Sequence, residues 1–209
     1  MELIHKYFPN LTDHQYDQFD KIGHLYREWN DKINVISRKD IDNLYLHHIL
    51  HSLVIAKFIQ FKEGTKVLDL GTGGGFPAVP LAIFFPKVNF TAIDGTRKKI
   101  TVVNEVKEAA GIQNLTAIQK RAEEHKEKFE FVVTRAVAKI GKLKEWSHNL
   151  IDAEKQRHAL PNGIIALKGG RVKDETNELT KKDYFETHSI LKYINEPYFE
   201  EKYILYLQR

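Results

Sequence analysis

A chain of 209 residues, 42% hydrophobic and 29% charged, is long enough for one α/β domain with a small addition and too short for two full domains. Its net charge of +4 with pI near 9.0 is compatible with an RNA partner, although an ordinary basic protein carries the same balance. With no cysteine there are no disulfides, no thiolate metal sites and no cysteine nucleophile.

The first ten residues read as a short helix or arm. Thr12 and Gln15 then have the spacing of a capping box, with the hydroxyl of Thr12 capping and Gln15 reaching back. Phe19, Ile22, Tyr26 and Trp29 follow at intervals of three and four, so one face of this helix is expected to be buried. Asn30 to Arg38 reads as a connecting loop. A second helical region is expected from near Asp40 to about Phe61, with Leu44, Ile49, Leu53, Ile55 and Phe58 as its apolar positions. It also carries His47, His48 and His51. His47 and His51 are spaced to share a helix face, but no acid or third ligand follows at zinc spacing. A histidine cluster at the surface or in a ligand cleft is therefore expected, and no metal site. Residues 1–62 are expected to form a helical cap on a ligand-binding domain of residues 63–209, the two packing as one compact unit. No apolar run approaches a membrane span. The longest, around 78–85, contains Pro80 and ends at Pro86. The N-terminus has no signal-peptide pattern, so a cytoplasmic location is expected.

Lys66 to Pro77 is the stretch around which the rest is arranged. The run Val67-Leu68-Asp69-Leu70 reads as a buried strand with a lone acid. Gly71, Gly73, Gly74 and Gly75 read as a tight turn, and Phe76 to Phe85 as a helix of about two to three turns. Glycine accepts positive φ and lets a ligand approach the backbone without a Cβ between them. A dinucleotide fold wants its third glycine at the position of Phe76, and Asp69 beside a pyrophosphate would set negative charge against negative charge. An acid there suits a ligand with a cationic amino acid end. The pattern resembles motif I of the class I methyltransferases, which bind S-adenosylmethionine.

A second strand, Val88 to Asp94, ends in an acid some twenty residues beyond the glycines, where a carboxylate can accept from both ribose hydroxyls. Asp94 could equally cap the next helix, and the two roles are compatible. That helix opens at Arg97-Lys98-Lys99 and closes with Gly111. Leu115 to Gln119 reads as a third strand, and small Ala122 just after it would allow close approach of an adenine. Phe129 to Thr134 reads as a fourth strand. Arg135 comes directly after it, so its side chain is expected at the crevice beyond the strand ends. A helix is expected over Lys142 to Leu160, then a turn at Pro161-Asn162-Gly163. Ile164 to Leu167 reads as a fifth strand leading to Lys168-Gly169-Gly170. After a polar helix from Asp174, Glu186 to Ile194 and Tyr203 to Gln208 read as the last two strands. The expected architecture is α/β: a mostly parallel seven-stranded sheet in a Rossmann-like class I S-adenosylmethionine-dependent methyltransferase fold, with an N-terminal helical cap.

Four pieces together, Gly71-Thr-Gly-Gly-Gly-Phe-Pro-Ala-Val-Pro-Leu-Ala, Arg121-Ala-Glu-Glu, Thr134-Arg-Ala-Val-Ala and Ala166-Leu-Lys-Gly-Gly, resemble the bacterial glucose-inhibited division protein B (GidB) family. This family is also called ribosomal RNA small subunit methyltransferase G (RsmG). Trp29-Asn-Asp-Lys-Ile-Asn-Val and His48-Ile-Leu-His-Ser-Leu are similar to its N-terminal helical part, so the resemblance covers nearly the whole chain. It implies transfer of a methyl group from S-adenosylmethionine to N7 of a guanosine in the 530 loop of 16S rRNA. By position it implies cofactor contacts at Gly71, Phe76, Ala122 with Glu123, and Arg135. These join Gly73, Gly75 and Asp94 from the turn and the second strand. The chain departs from the family at His47-His48-Ile-Leu-His51, where many members have Arg-His-Ile-Leu-Asp, and at Gly95, where Ser is usual.

The residues agree with that chemistry. N7 of guanine has a free in-plane lone pair and attacks without losing a proton, so no general base is needed. After the fourth strand there is no Asn-Pro-Pro-Tyr or Asp-Pro-Pro-Tyr of the kind expected for exocyclic amines, and there is no cysteine for carbon methylation. Arg135 and Lys168, at adjacent strand ends, are candidates to orient the base through phosphate or guanine O6. Arg135 could instead pair with Glu123 or with the cofactor carboxylate. Arg97, Lys98, Arg121, Lys139 and Arg171 are expected to face the RNA partner, 16S rRNA or the small subunit. A monomer is expected. Two other functions fit less well: a methyltransferase of the same fold acting on a small molecule or protein, and an RNA-binding assembly factor without catalysis.

Overall fold

The computed structural model describes residues 1–209. The chain opens with α1 (Glu2–Tyr7) and α2 (Asp13–Lys32). α2 starts as expected: Thr12 Oγ1 accepts from the Gln15 amide at 3.3 Å, and Gln15 Oε1 accepts from the Thr12 amide at 3.0 Å. Phe19, Ile22 and Tyr26 are fully buried, while Trp29 is half-buried. The second helical region is composite. A 3-10 turn, Ile41–Asn43, leads into a π-helical stretch, Leu44–Leu50, and then α3 (His51–Phe58). It stops at Phe58, short of Phe61.

The rest of the chain is β1 (Lys66–Leu70), α4 (Ala78–Phe84), β2 (Asn89–Asp94), α5 (Arg97–Ala109), β3 (Leu115–Gln119), β4 (Phe131–Arg135), α6 (Ile140–Ser147), β5 (Gly163–Gly169), α7 (Val172–Thr176), β6 (Phe185–Ser189) and β7 (Lys202–Gln208). The seven strands form one sheet in the order β3-β2-β1-β4-β5-β7-β6. All neighbours are parallel except β7, which runs antiparallel to both β5 and β6. The chain builds outward from β1 in both directions, so the carboxyl ends of β1 and β4 flank the topological switch point.

Strand periodicity sorts the core into two layers. Val67, Phe90, Phe131 and Ile165 face a cluster of 41 buried side chains that also holds Ile4, Phe19, Leu44, Leu53 and Val79. Leu68, Ile93, Val132 and Ile164 face a smaller cluster with Ile140 and Leu143 of α6. The first layer is continuous from Ile4 to Tyr206, so residues 1–62 and the sheet share one core.

Two expected elements differ. The helix over Lys142 to Leu160 is instead α6, beginning at Ile140 and ending at Ser147. Beyond it the backbone finds other partners. The Phe129 amide donates to Leu150 O and the Asp152 amide to Phe129 O, both at 2.8 Å. The Asp152 carboxylate then accepts from the Glu154 and Lys155 amides, a local turn that competes with helix. The strand expected over Glu186 to Ile194 ends at Ser189, and Ile190–Lys192 turn as 3-10 to drop Ile190 into the core.

Candidate active site

A cleft of about 660 Å3 lies at the carboxyl ends of the central strands, closed on one side by the histidine-bearing stretch. That volume suits a cofactor-sized ligand. Gly71, Gly73, Phe76, Asp94, Arg135 and Lys168 all line it.

The glycine turn is shaped by its conformations. Gly71, Gly73 and Gly75 have φ of +72°, +57° and +98°, which disfavour any side chain. At Gly73 a Cβ would meet nothing within 4 Å, so the backbone faces open space. At Gly75 a Cβ would lie 2.7 Å from both Tyr26 Oη and Val79 Cγ2. Gly75 is therefore needed for packing against α2 and α4, and it does not line the cleft. Tyr26 also donates to Gly74 O at 2.6 Å, so α2 braces the turn from beneath.

Asp94 does two things at once. Its Oδ2 accepts from the Gly73 amide at 3.0 Å and its Oδ1 from the Thr96 amide at 2.8 Å. Each oxygen keeps a second acceptor position. Asp69 is placed differently from the sequence expectation. It is fully buried under the turn, where its Oδ2 accepts from Thr72 Oγ1 at 2.6 Å and the Ala78 amide at 2.9 Å. Burial pushes its carboxyl up to about 7, against the pull of those two donors and of Arg135. Asp69 thus ties strand, turn and α4 together and does not line the cleft, although its Oδ1 has no partner.

Arg135 crosses to the helical cap. It donates from Nη1 to His47 O and from Nη2 to His48 Nδ1, both at 3.0 Å, and its guanidinium lies 5.1 Å from the Phe76 ring centroid. Because His48 Nδ1 accepts, its Nε2 carries the proton and donates to Asp40 Oδ2 at 2.7 Å. Burial, then the Arg135 charge, pushes His48 down to about 4, so the ring is neutral near pH 7. His47 Nδ1 meets the other oxygen of Asp40 at 2.5 Å. Burial works to raise the Asp40 carboxyl, yet the hydrogen bonds from His47 and His48 hold it below the usual carboxylate range. These two consecutive histidines, both in the π-helical stretch, reach one carboxylate.

Lys168 lines the cleft with its ammonium paired inside the protein. Its Nζ pairs with Glu175 at 2.7 Å and donates to Ala138 O, which pins the segment after β4. Ala122 and Glu123 lie on a 3-10 turn beyond β3. Ala122 is buried, Glu123 is exposed, and neither lines the cleft. Glu123 does not pair with Arg135.

The far wall was not legible from sequence. Tyr198 stacks on His47 with ring centroids 3.7 Å apart and planes 14° from parallel, and Lys202 Nζ lies 4.0 Å from the Tyr198 centroid. His51 is buried behind Tyr198 with its Nε2 unpartnered. Burial first, then Arg135 and Lys202, holds it well below the usual histidine value. No group of three or more His, Cys, Asp or Glu is arranged to hold a metal ion, and no helix is long and apolar enough to cross a membrane.

Solved structures of low identity share this fold. The YcgJ protein of Bacillus subtilis aligns with TM-score 0.53 at 13% identity, over 78% of this chain and 99% of that one. A putative rRNA-methylase from Clostridium thermocellum aligns with TM-score 0.53 at 14% identity, over 78% and 96%. Sequence relatives are much nearer. A "Ribosomal RNA small subunit methyltransferase G" of Porphyromonas gingivalis is 51% identical over 99% of this chain and 92% of its own length. Another of the same description, from Bacteroides thetaiotaomicron, is 51% identical over 100% of both. The family model described as GidB, rRNA small subunit methyltransferase G, matches residues 15–197.

Proposed function

The chain belongs to the rRNA small subunit methyltransferase G family, and on that footing we propose that it transfers the methyl group of S-adenosylmethionine to N7 of a guanosine in the 530 loop of 16S rRNA. The observation that carries this is one cleft with two different ends. The glycine turn and Asp94 form one, and Arg135 with the aromatic and histidine wall forms the other.

The first end fits the cofactor. Open space at Gly73 admits a ligand against the backbone, and the spare acceptor positions of Asp94 suit the two ribose hydroxyls. Gly71 and Phe76 line the path between Asp94 and Arg135. Ala122, beyond the neighbouring strand end, would border the adenine, and Glu123 beside it would act through its backbone. Gly75 contributes by letting the turn close on Tyr26. Bound there, S-adenosylmethionine supplies an electrophilic methyl group on a sulfonium.

The second end orients the base. N7 attacks with a lone pair already in the ring plane, so the protein has to align it and exclude water, with no proton to remove. The neutral His48 fits this, since its acceptor nitrogen is spent on Arg135 and its donor on Asp40. Two of the five donors of Arg135 are used by the cap, and the rest remain to meet guanine O6 or a phosphate. Lys168 supports the segment behind Arg135 through its bond to Ala138.

The test uses labelled S-adenosylmethionine and small-subunit particles from a strain lacking this gene, with mass spectrometry of the digested RNA. 7-methylguanosine at one position in the 530 loop is the expected product. A different methylated nucleoside, or transfer to protein with none to RNA, would refute it.

A further inference from the structure

Arg135 and Lys202 stand on one wall of the cleft with no carboxylate partner of their own. The carboxylates that act on Arg135 are engaged elsewhere: Asp40 by His47 and His48, Asp69 by Thr72 and the Ala78 amide. Lys202 is held by an aromatic face instead. Its ammonium sits over Tyr198, which stacks on His47. The protein thus places two cations beside a neutral, buried histidine, against the one ionised carboxylate of Asp40, leaving a net positive charge.

We propose that Lys202, seated on the Tyr198–His47 stack with Arg135 at its inner edge, forms a subsite for one backbone phosphate of the RNA next to the target guanosine. This rests on the methyl-transfer function proposed above and adds to it a residue that grips the RNA.

Sheet geometry separates this anion from the carboxylate of the cofactor. Asp94 ends β2. Lys202 begins β7, opposite Gly169 of β5, and so stands four strands away in the order β2-β1-β4-β5-β7. At about 4.8 Å per strand that is roughly 19 Å. Six single bonds join the ribose ring of S-adenosylmethionine to its carboxylate carbon, a reach of roughly 8 Å at ordinary bond lengths. A ribose held at Asp94 brings the carboxylate first to β4 and Arg135, the nearer of the two cations. Lys202, on the far side of Arg135 from Asp94, is then left for an anion of the other substrate.

Lys202→Gln tests the subsite on the full-length enzyme. The expected result is a KM for rRNA raised about fivefold to tenfold, an unchanged dissociation constant for S-adenosylmethionine and an unchanged kcat. The slope of log KM against log salt should fall by about 0.7 to 0.9, as for one lost phosphate contact. Lys202→Arg should restore most of the affinity, and circular dichroism checks that both variants fold. Weaker cofactor binding with unchanged rRNA KM would assign the anion to the cofactor carboxylate and overturn the proposal, as would no change in either. Should the wild-type enzyme fail to methylate rRNA, the proposed function falls and the subsite is judged separately. With S-adenosylmethionine present, guanosine 5′-monophosphate should bind more tightly than guanosine to the wild type and no more tightly to Lys202→Gln. Equal binding of the two by the wild type would overturn it.

Discussion

Single side chains at the cleft combine folding and binding roles. Asp94 holds the glycine turn through the Gly73 amide and starts α5 through the Thr96 amide, while facing the cleft. If Asp94 holds the ribose as proposed, Asp94→Ala should weaken S-adenosylmethionine binding about tenfold to a hundredfold by calorimetry, because the two amides and the ribose would lose one acceptor together. Gly75→Ala acts on stability: a φ of +98° and contacts at 2.7 Å predict a loss of about 2–4 kcal/mol in urea unfolding. His48 titrates at about 4 in the fold against about 6.5 unfolded. The unfolded state therefore binds the extra proton first as pH falls, and stability present above pH 6.5 drains away toward pH 4. This contribution is up to about 3 kcal/mol. Asp40, His47 and Arg135 surround the ring, and His51 adds to the same trend. His48→Gln should flatten the stability curve between pH 6.5 and 4. A curve of unchanged slope would show that His48 is not held neutral. Sequence spacing made Thr12, Gln15, Asp94 and the glycines readable, since each acts over local or motif-fixed distances. It could not show that Arg135 meets His48, 87 residues away. Nor could it show that Lys168 belongs to Glu175, because charge alone does not say which neighbour satisfies it.

At the scale of elements, the π-helical stretch Leu44–Leu50 is the piece with most consequence. Helical periodicity in the sequence indicated a helix there and gave no hint of wider winding, because apolar spacing survives one inserted residue. The wider turn lets His47 and His48 converge on Asp40 and brings His47 O and His48 Nδ1 to Arg135. Deleting Leu46 would rewind the stretch and rotate Asp40 and the turn before Leu44 against His47 and His48 by about 100°. Far-ultraviolet circular dichroism should change little while methyl transfer drops at least tenfold. Activity near wild type would mean that the histidine register is unimportant. The helix expected over Lys142 to Leu160 fails for an equally local reason. Its apolar residues fit a helix, but Leu150 and Asp152 bond to Phe129, a partner that periodicity cannot reveal.

For the whole molecule, a mostly parallel seven-stranded sheet is legible in the alternating strand and helix patterns, but the strand order and the antiparallel direction of β7 are not, because the patterns do not say which edges pair. The cap was visible as amphipathic helices. Its packing with the rest as one unit is expected from the sequence, but which buried surface each helix face meets is not, since a helix face does not name the surface it covers. Ile4, Phe19, Leu44 and Leu53 belong to the same apolar cluster as Val67 and Phe131. Removing residues 1–62 should therefore leave a chain that fails to fold, seen as loss of a cooperative thermal transition. A cooperatively melting fragment would show that the cap is an independent domain.

Tyr26 has its ring in the cap helix α2 and its hydroxyl on Gly74 O in the glycine turn. Whatever steadies the turn also steadies α2, and the reverse holds with equal force. Occupancy of the turn should thus slow amide hydrogen exchange in α2, and Tyr26→Phe should uncouple the two. By reciprocity, a ligand that steadies the turn also steadies α2 by the same free energy by which a steadied α2 favours that ligand.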